Sequence, residues 1–207
     1  MLEKIKDKLK TIKSNNGWKS LLLIGVCVAL LLVDILTKTY EERDGWKFTV
    51  IPGFIEVISG SRNPGAAFSF LAEKEWGQIF LIVMTFILLL LLIGFYLFVS
   101  EKHIFIKISL SLICSGAIGN LIDRIAYREV RDFVEIKMFG SFTSCNFADF
   151  WIVFGAIIAI VALLFVDEWA VFPLTKSAKE AQRNKKDVQT DIAQDGENTD
   201  DKKDGED

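Results

Sequence analysis

A chain of 207 residues that is 51% hydrophobic, with a mean hydropathy of +0.35, is typical of a small multi-pass membrane protein and not of a soluble enzyme. Its net charge of −3 says little about partners, because the acidic end of the chain dominates it. The single histidine, His103, excludes Ser-His-Asp triads, Cys-His pairs and metal sites with several histidines. The three cysteines lie far apart and predict neither a disulfide framework nor a zinc cluster.

The amino-terminal part predicts a basic arm followed by a membrane helix. Residues 1–20 carry six lysines, which favours a cytoplasmic location. The apolar run 21–33 continues to Tyr40, and about 20 residues suffice to cross the bilayer core. A signal peptide is the alternative, but no small-x-small cleavage site follows, and the run ends in Asp34 and Lys38. These two residues are spaced i, i+4, so we expect an ion pair, with Asp34 supporting the site rather than reacting.

Residues 41–70 predict a small β-structure instead of a membrane helix. Residues 46–51 and 54–58 are rich in β-branched and aromatic side chains, and Pro52-Gly53 separates them, which indicates two short strands around a turn. Residues 41–45 read as a polar turn. Because the first helix leaves the cytoplasm, we expect this segment on the outer face.

Three further apolar stretches predict membrane helices over residues 79–99, 104–122 and 147–166. The third helix of the chain is richer in small and hydroxylic residues, which favour close packing between membrane helices. The final residues are too polar to bury a core. Four helices after a basic arm place both chain ends in the cytoplasm. The predicted organisation is a basic arm, a membrane domain and a charged tail: 1–20, 21–170 and 171–207.

Polar residues gather where the third helix reaches the outer face. Asn120, Asp123 and Arg124 are spaced i, i+3, i+4 and would share one face of a helix. The simplest interpretation of Asp123 and Arg124 is a structural ion pair that caps the helix. Asn146 and Asp149 begin the fourth helix, where N-capping is the simplest interpretation. Asp123, Arg124, Asn146 and Asp149 can therefore all be structural.

Asp132 has no such simple explanation. It lies in an apolar patch, where burying an unpaired carboxylate costs roughly several kcal/mol of folding free energy. Brought together with Asp149, it would share a proton, so that one carboxylate activates water and the other polarises a carbonyl. This chemistry needs neither metal nor cofactor, and the sequence predicts none. A small ion or proton transporter is one alternative, although the acids cluster at one end of the helices. A membrane scaffold with interfacial ion pairs is another.

The sequence resembles lipoprotein signal peptidase (signal peptidase II), a family of bacterial intramembrane aspartyl peptidases. Six short motifs carry the resemblance, in the family's order and over residues 34–149. They are Asp34-x-x-Thr37-Lys38, Pro52-Gly53-Phe54, Asn63-x-Gly65-Ala66-Ala67-Phe68, Gly119-Asn120-x-x-Asp123-Arg124, Val130-x-Asp132-Phe133 and Asn146-x-Ala148-Asp149. The chain departs from the family's pattern at Ser144-Cys145, where proline and an aromatic are frequent, and at Phe150, where a small residue is frequent.

The resemblance implies an all-α membrane protein with four transmembrane helices and a small β-cradle on the outer face. It implies a monomeric enzyme of the bacterial inner membrane, with its site near the outer face and no nucleic-acid partner. The substrates would be diacylglyceryl-modified prolipoproteins, met within membrane lipid and cleaved just before the lipidated cysteine. The catalytic pair would be Asp132 and Asp149. Substrate-binding or supporting roles would fall on Asn63, Gly65, Asn120, Arg124 and Asn146, and structural polar roles on Asp34, Lys38 and Asp123.

Overall fold

The computed structural model describes residues 17–65, 76–100, 102–138, 141–167 and 171–184, the last range without 173, 176, 178 and 182. Most of the predicted basic arm and of the predicted tail therefore lies outside the described residues. The chain divides into two units, Met1–Ile158 and Ala159–Asp207, and every polar residue that the sequence singles out belongs to the first.

Helices and strands alternate in groups along the chain. In order they are α1 (Gly17–Asp44), β1 (Lys47–Ile51), β2 (Ile55–Asn63), α2 (Gly77–Phe98), α3 (Ile104–Tyr127), β3 (Val130–Met138), β4 (Ser141–Cys145) and α4 (Phe147–Val161), which continues as a π-helical segment (Ala162–Val166). Within the described residues, four helices are long and apolar enough to cross a membrane. The predicted fold class, four membrane helices with a small sheet, is confirmed.

Two helices run further than the sequence predicts. The predicted polar turn at 41–45 is wrong, because α1 continues to Asp44 and ends where Gly45 adopts a left-handed φ of 63°. Helix α3 passes the predicted end at residue 122 and reaches Tyr127. It ends at Arg128, whose φ of 64° is also left-handed. These extra turns carry the helices out to the sheet.

The four strands form one antiparallel sheet in the order β1-β2-β3-β4. Strand β1 agrees with the sequence prediction, and β2 begins as predicted but runs past its predicted end at residue 58 to Asn63. Strands β3 and β4 were not predicted. Strand β3 lies in the middle beside β2, and the register pairs Val57 with Val134 and Ser61 with Asp132. Asp132 is therefore held within a hydrogen-bonded sheet rather than on a loop.

Helix α3 is the most enclosed of the four. In its apolar stretch 67% of the residues are buried, against 11%, 6% and 11% for the other three helices in chain order. Small residues allow this close packing, as predicted. A Cβ added at Gly116 would lie 2.2 Å from the carbonyl oxygen of Ala148, and one at Gly155 would lie 2.9 Å from that of Ser109. These contacts bring α3 and α4 together.

An aromatic contact joins the sheet to the beginning of α4. Phe133 and Phe147 pack edge to face with ring centroids 5.5 Å apart. Phe133 is buried with Val57 and Val134 in the small core beneath the sheet. Phe133 directly follows Asp132, and Phe147 lies two residues before Asp149. One apolar cluster thus fixes the chain beside both aspartates.

Candidate active site

Asp132 is buried in β3, with only 1% of its surface exposed. Both oxygens of its carboxyl group accept hydrogen bonds from amide side chains. Asn146 donates through Nδ2 to Oδ1 at 2.7 Å, and Asn63 donates through Nδ2 to Oδ2 at 3.2 Å. The carboxylate is therefore satisfied by neutral donors and has no direct ion pair among the described residues.

Asp149 stands in the first turn of α4, where it forms a reciprocal cap with Asn146. Its backbone N–H donates to Oδ1 of Asn146 at 3.1 Å, and its Oδ2 accepts from the backbone N–H of Asn146 at 3.0 Å. The predicted N-capping is confirmed. The other oxygen, Oδ1, accepts from Nδ2 of Asn120 at 2.7 Å. Asn146 consequently contacts both aspartates and fixes one relative to the other.

Asn120 connects this pair to a buried lysine. Its Oδ1 accepts hydrogen bonds from Nζ of Lys38 at 3.0 Å and from Nδ2 of Asn146 at 3.1 Å, while its Nδ2 donates to Oδ1 of Asp149. The cation of Lys38 thus acts on the pair through an amide. Within the part of the chain that the structure describes, neither carboxylate of the pair has a directly bound cation.

Lys38 is itself held between two buried acids. Its Nζ lies 2.8 Å from Oδ2 of Asp34, which confirms the predicted i, i+4 pair, and 3.4 Å from Oδ2 of Asp123. The other oxygen of Asp34 accepts from the backbone N–H of Ala148 at 2.9 Å. A carboxylate from α1 therefore completes the N-terminal cap of α4. This cluster links α1, α3 and α4 directly behind the aspartate pair.

The predicted ion pair between Asp123 and Arg124 is wrong. Adjacent residues of a helix do not face each other, and Asp123 instead binds Arg131, whose Nη2 lies 2.7 Å from Oδ1. The backbone N–H of Arg131 adds a bond to Oδ2 at 3.0 Å. The left-handed turn at Arg128 brings β3 back beside the end of α3 and makes this contact.

Arg131 is a site residue that the sequence analysis missed. Its guanidinium stacks over Tyr127, 4.7 Å from the ring centroid, and also binds Glu42. The sequence does contain a signal for it: Arg131 stands between Val130 and Asp132 in an otherwise apolar patch, which indicates a buried position.

Arg124 reaches the segment after β2 instead. Its Nη2 donates to the carbonyl oxygen of Gly65 at 3.1 Å, and the N–H of Gly65 donates to Oδ1 of Asn63 at 3.0 Å. The Nε atom of Arg124 is buried and has no hydrogen-bond partner among the described residues. A continuous chain of contacts thus runs from Arg124 through Gly65 and Asn63 to Asp132. Together with the Asn146 and Lys38 contacts, it joins all ten predicted site residues.

The environment of Asp132 holds its proton more tightly than water would. Burial, and then the negative charge of Asp149, raise the pKa of Asp132 to about 6, although the amides of Asn146 and Asn63 and the cation of Lys38 oppose the rise. The same surroundings affect the neighbouring thiol: burial, followed by the charges of the two aspartates, raises the pKa of Cys145 to about 12. Asp132 therefore keeps its proton to a higher pH than an aspartate in water does.

Comparison with known proteins identifies the family. A family model described as signal peptidase (SPase) II matches residues 26–165, well over half of the chain. The chain belongs to the signal peptidase II family. The resemblance inferred from the six motifs is thereby confirmed, and membership of a peptidase family favours an enzyme over a transporter or a scaffold.

Individual relatives agree with this membership. The chain is 36% identical over 143 residues to a lipoprotein signal peptidase of Staphylococcus haemolyticus (strain JCSC1435), a match that covers 67% of this chain and 88% of that protein. It is 35% identical over 144 residues to a lipoprotein signal peptidase of Staphylococcus carnosus (strain TM300), covering 68% and 88%.

Solved structures are similar as well. A bacterial membrane enzyme determined by the in meso method at 2.3 Å is 35% identical, with a TM-score of 0.62, and the match covers 69% of this chain and 87% of that one. A second, at 1.9 Å, has a TM-score of 0.60 at 35% identity and covers 69% and 92%. With four described helices long and apolar enough to cross a membrane, this member of the family is a multi-pass membrane protein.

Proposed function

We propose that this chain is a membrane-embedded aspartic endopeptidase that removes signal peptides from diacylglyceryl-modified prolipoproteins, cutting just before the lipidated cysteine. The observation that carries the proposal is the aspartate pair that Asn146 bridges, found in a chain whose relatives are lipoprotein signal peptidases. Family membership supports the peptidase activity, and the pair supports its mechanism.

In this mechanism Asp132 and Asp149 share one proton. The ionised carboxylate takes a proton from a water molecule, and the protonated one donates a hydrogen bond to the scissile carbonyl oxygen, as in other aspartic proteases. Asn146 holds both carboxyl groups in fixed positions, which reduces the reorganisation needed when water attacks. Burial of Asp132 supports the shared proton, because two adjacent ionised carboxylates repel each other in a site of low polarity.

Arg124 and the backbone near Gly65 are proposed to receive the substrate. The buried Nε–H of Arg124 can donate to a peptide carbonyl oxygen beside the pair. Its bond to the Gly65 carbonyl keeps the guanidinium beside the segment that follows β2. Asn63 would then couple substrate binding to Asp132, since it contacts both Gly65 and the carboxylate.

The location proposed is the bacterial inner membrane, with both chain ends in the cytoplasm and the site near the outer face. The lysines of residues 1–20 support this orientation through the positive-inside rule. The sheet and the turn between β1 and β2 carry exposed apolar side chains suited to the lipid interface: Phe48, Val50, Phe54 and Phe142. A lipid-modified substrate would reach such a site sideways from the bilayer.

The test is cleavage of a diacylglyceryl-modified precursor peptide by the full chain in detergent or lipid. Asp132→Asn and Asp149→Asn are each expected to abolish cleavage, because neither asparagine can exchange the required proton. Glu135→Gln, on the same strand as Asp132, is the matched control and should cleave normally.

Near-full turnover by either aspartate variant contradicts the mechanism. Equal cleavage of precursor with and without lipid contradicts the substrate. Chelators are expected to leave the rate unchanged.

A further inference from the structure

Strand β2 contains a bulge that decides where its last residues lie. Val57 pairs with Val134, but the next paired residue is Ser61, opposite Asp132. Ser61 is four residues after Val57 in β2, whereas Asp132 is only two residues from Val134 in β3. Strand β2 therefore contains two additional residues in this interval. Bulges of this kind shift the register of everything beyond them and are common beside active sites.

The shifted register is what brings Asn63 to the aspartate pair. With the bulge, Asn63 pairs with Val130, so Asp132 is its diagonal neighbour two residues further along β3, within reach of a polar side chain. If the register before the bulge continued unchanged along β2, Asn63 would stand opposite residue 128, before β3 begins. The 3.2 Å bond from Asn63 to Asp132 therefore depends on the bulge.

The bulge is held by a buried carboxylate from α1. Gly60 has a φ of 89°, in the left-handed region that favours glycine, and its N–H donates to Oε2 of Glu41 at 3.3 Å. The preceding N–H, of Ser59, donates to the carbonyl oxygen of Trp46 at 2.9 Å. Glu41 is only 1% exposed, although it stands in the last turn of α1, where an acid could readily face water.

We propose that Glu41 is a positioning residue for the aspartate pair: by accepting the Gly60 N–H it fixes the bulge that carries Asn63 to Asp132. The inference rests on the proposed function, because it assigns Glu41 to the catalytic geometry of Asp132. A buried carboxylate is costly unless its hydrogen bonds are needed, and the Gly60 amide is a donor that the bulge has removed from the strand pairing.

The decisive comparison is between two variants of equal size. Glu41→Gln keeps an oxygen that accepts the Gly60 N–H, whereas Glu41→Met fills the same volume without an acceptor. In the full chain, Glu41→Gln is expected to retain wild-type kcat and KM. Glu41→Met is expected to lose about tenfold in kcat with a smaller change in KM, because Gly65 keeps its bond to Arg124 while the pair is disturbed. Asp44→Asn, an exposed acid at the same end of α1, is the control and should be unchanged.

A second readout separates positioning from general loss of structure. The Asn63 amide lowers the pKa of Asp132, so losing that bond should move the alkaline limb of the pH–rate profile upward. Glu41→Met and Asn63→Ala should show the same upward movement. An apparent pKa does not depend on how much enzyme is folded, so this measurement serves even when the yield of a variant falls. A profile of Glu41→Met that coincides with the wild type overturns the proposal.

The double variant Glu41→Met/Asn63→Ala completes the test. If Glu41 acts through Asn63, the double variant should be no slower than Asn63→Ala alone. Multiplied losses show that Glu41 acts elsewhere and overturn the inference. An active Asp132→Asn enzyme overturns the proposed function itself. An inactive Asp132→Asn enzyme beside a Glu41→Met enzyme with wild-type kinetics overturns only the role of Glu41.

Discussion

Asp34 accepts a hydrogen bond from the backbone N–H of Ala148 at 2.9 Å, across 114 positions of sequence. The bond anchors the first turn of α4 to the middle of α1. Asp149 follows Ala148 directly, so the position of one member of the aspartate pair depends on a carboxylate in the first helix. The same carboxylate neutralises Lys38, whose Nζ binds Asn120 beside the pair.

Replacing Asp34 by alanine should destabilise the protein. The change leaves Lys38 with a weaker partner and the Ala148 N–H without an acceptor, and breaking a buried pair costs about 3 kcal/mol. Asp34→Asn retains an acceptor for Ala148 and should lose less. Thermal unfolding in detergent measures both variants. A melting temperature of Asp34→Ala equal to that of the wild type would show that the bond contributes nothing to stability.

Gly119 should not tolerate even a methyl group. A Cβ at this position would lie 2.4 Å from Oδ2 of Asp34 and 3.3 Å from the Cβ of Ala148, so Gly119→Ala must displace Asp34. We expect a loss of about 1–3 kcal/mol, as for overpacked cores, and a fall in kcat because α4 moves. Gly94→Ala in α2 is the matched control, since no atom lies within 4 Å of its added Cβ. Equal melting temperatures for the two variants would contradict this packing.

Much of this arrangement could be predicted from the sequence, because apolar length predicts membrane helices and the six motifs place polar residues at their ends. Strand β3 was not predicted, although residues 134–138 alternate apolar and charged with the period of a half-buried strand. The sequence shows that Asp132 needs a partner, but only the pairing of β2 with β3 shows that Asn63 supplies one. Long-range pairing of strands has no local signal in the chain.

The partner of Asp123 illustrates the same limit. Neighbours in sequence suggested Arg124, whereas the structure supplies Arg131. The difference arises from the left-handed residue Arg128, which turns the chain back on the end of α3. A positive φ at an arginine cannot be recognised from composition, since glycine and asparagine are the usual residues there.

Cleavage should lose rate as the pH rises through about 6. Burial and Asp149 raise the pKa of Asp132 to about 6, so Asp132 holds the proton that the mechanism needs below this pH and loses it above this pH. Two basic side chains also face the pair: Lys38 through its bond to Asn120, and Arg124, which lies beside both aspartates. The pH dependence of kcat/KM for the free enzyme reports the apparent pKa of the pair. If the alkaline limb of the Asn63→Ala profile has the same apparent pKa as that of the wild type, the limb does not report Asp132.

Cys145 should react slowly with thiol reagents for as long as the aspartates beside it are charged. Its pKa rises from the ordinary 9.0 to about 12, through burial first and then through Asp149 and Asp132, so at pH 8 it holds roughly a thousandfold less thiolate than a free cysteine. In a chain with Cys27→Ala and Cys114→Ala, maleimide labelling of the folded enzyme should be slow, and unfolding should make it fast.

Removing either charge should speed the labelling of Cys145 while the protein stays folded. Asp149→Asn is expected to have the larger effect, because the charge of Asp149 raises the thiol pKa more than that of Asp132 does. Glu135→Gln provides the control, since its carboxylate contributes nothing to the rise. The expected order of labelling rates is Asp149→Asn, then Asp132→Asn, then the wild type. Identical rates in all of them would show that burial alone protects the thiol, and that the charge of the pair does not reach β4.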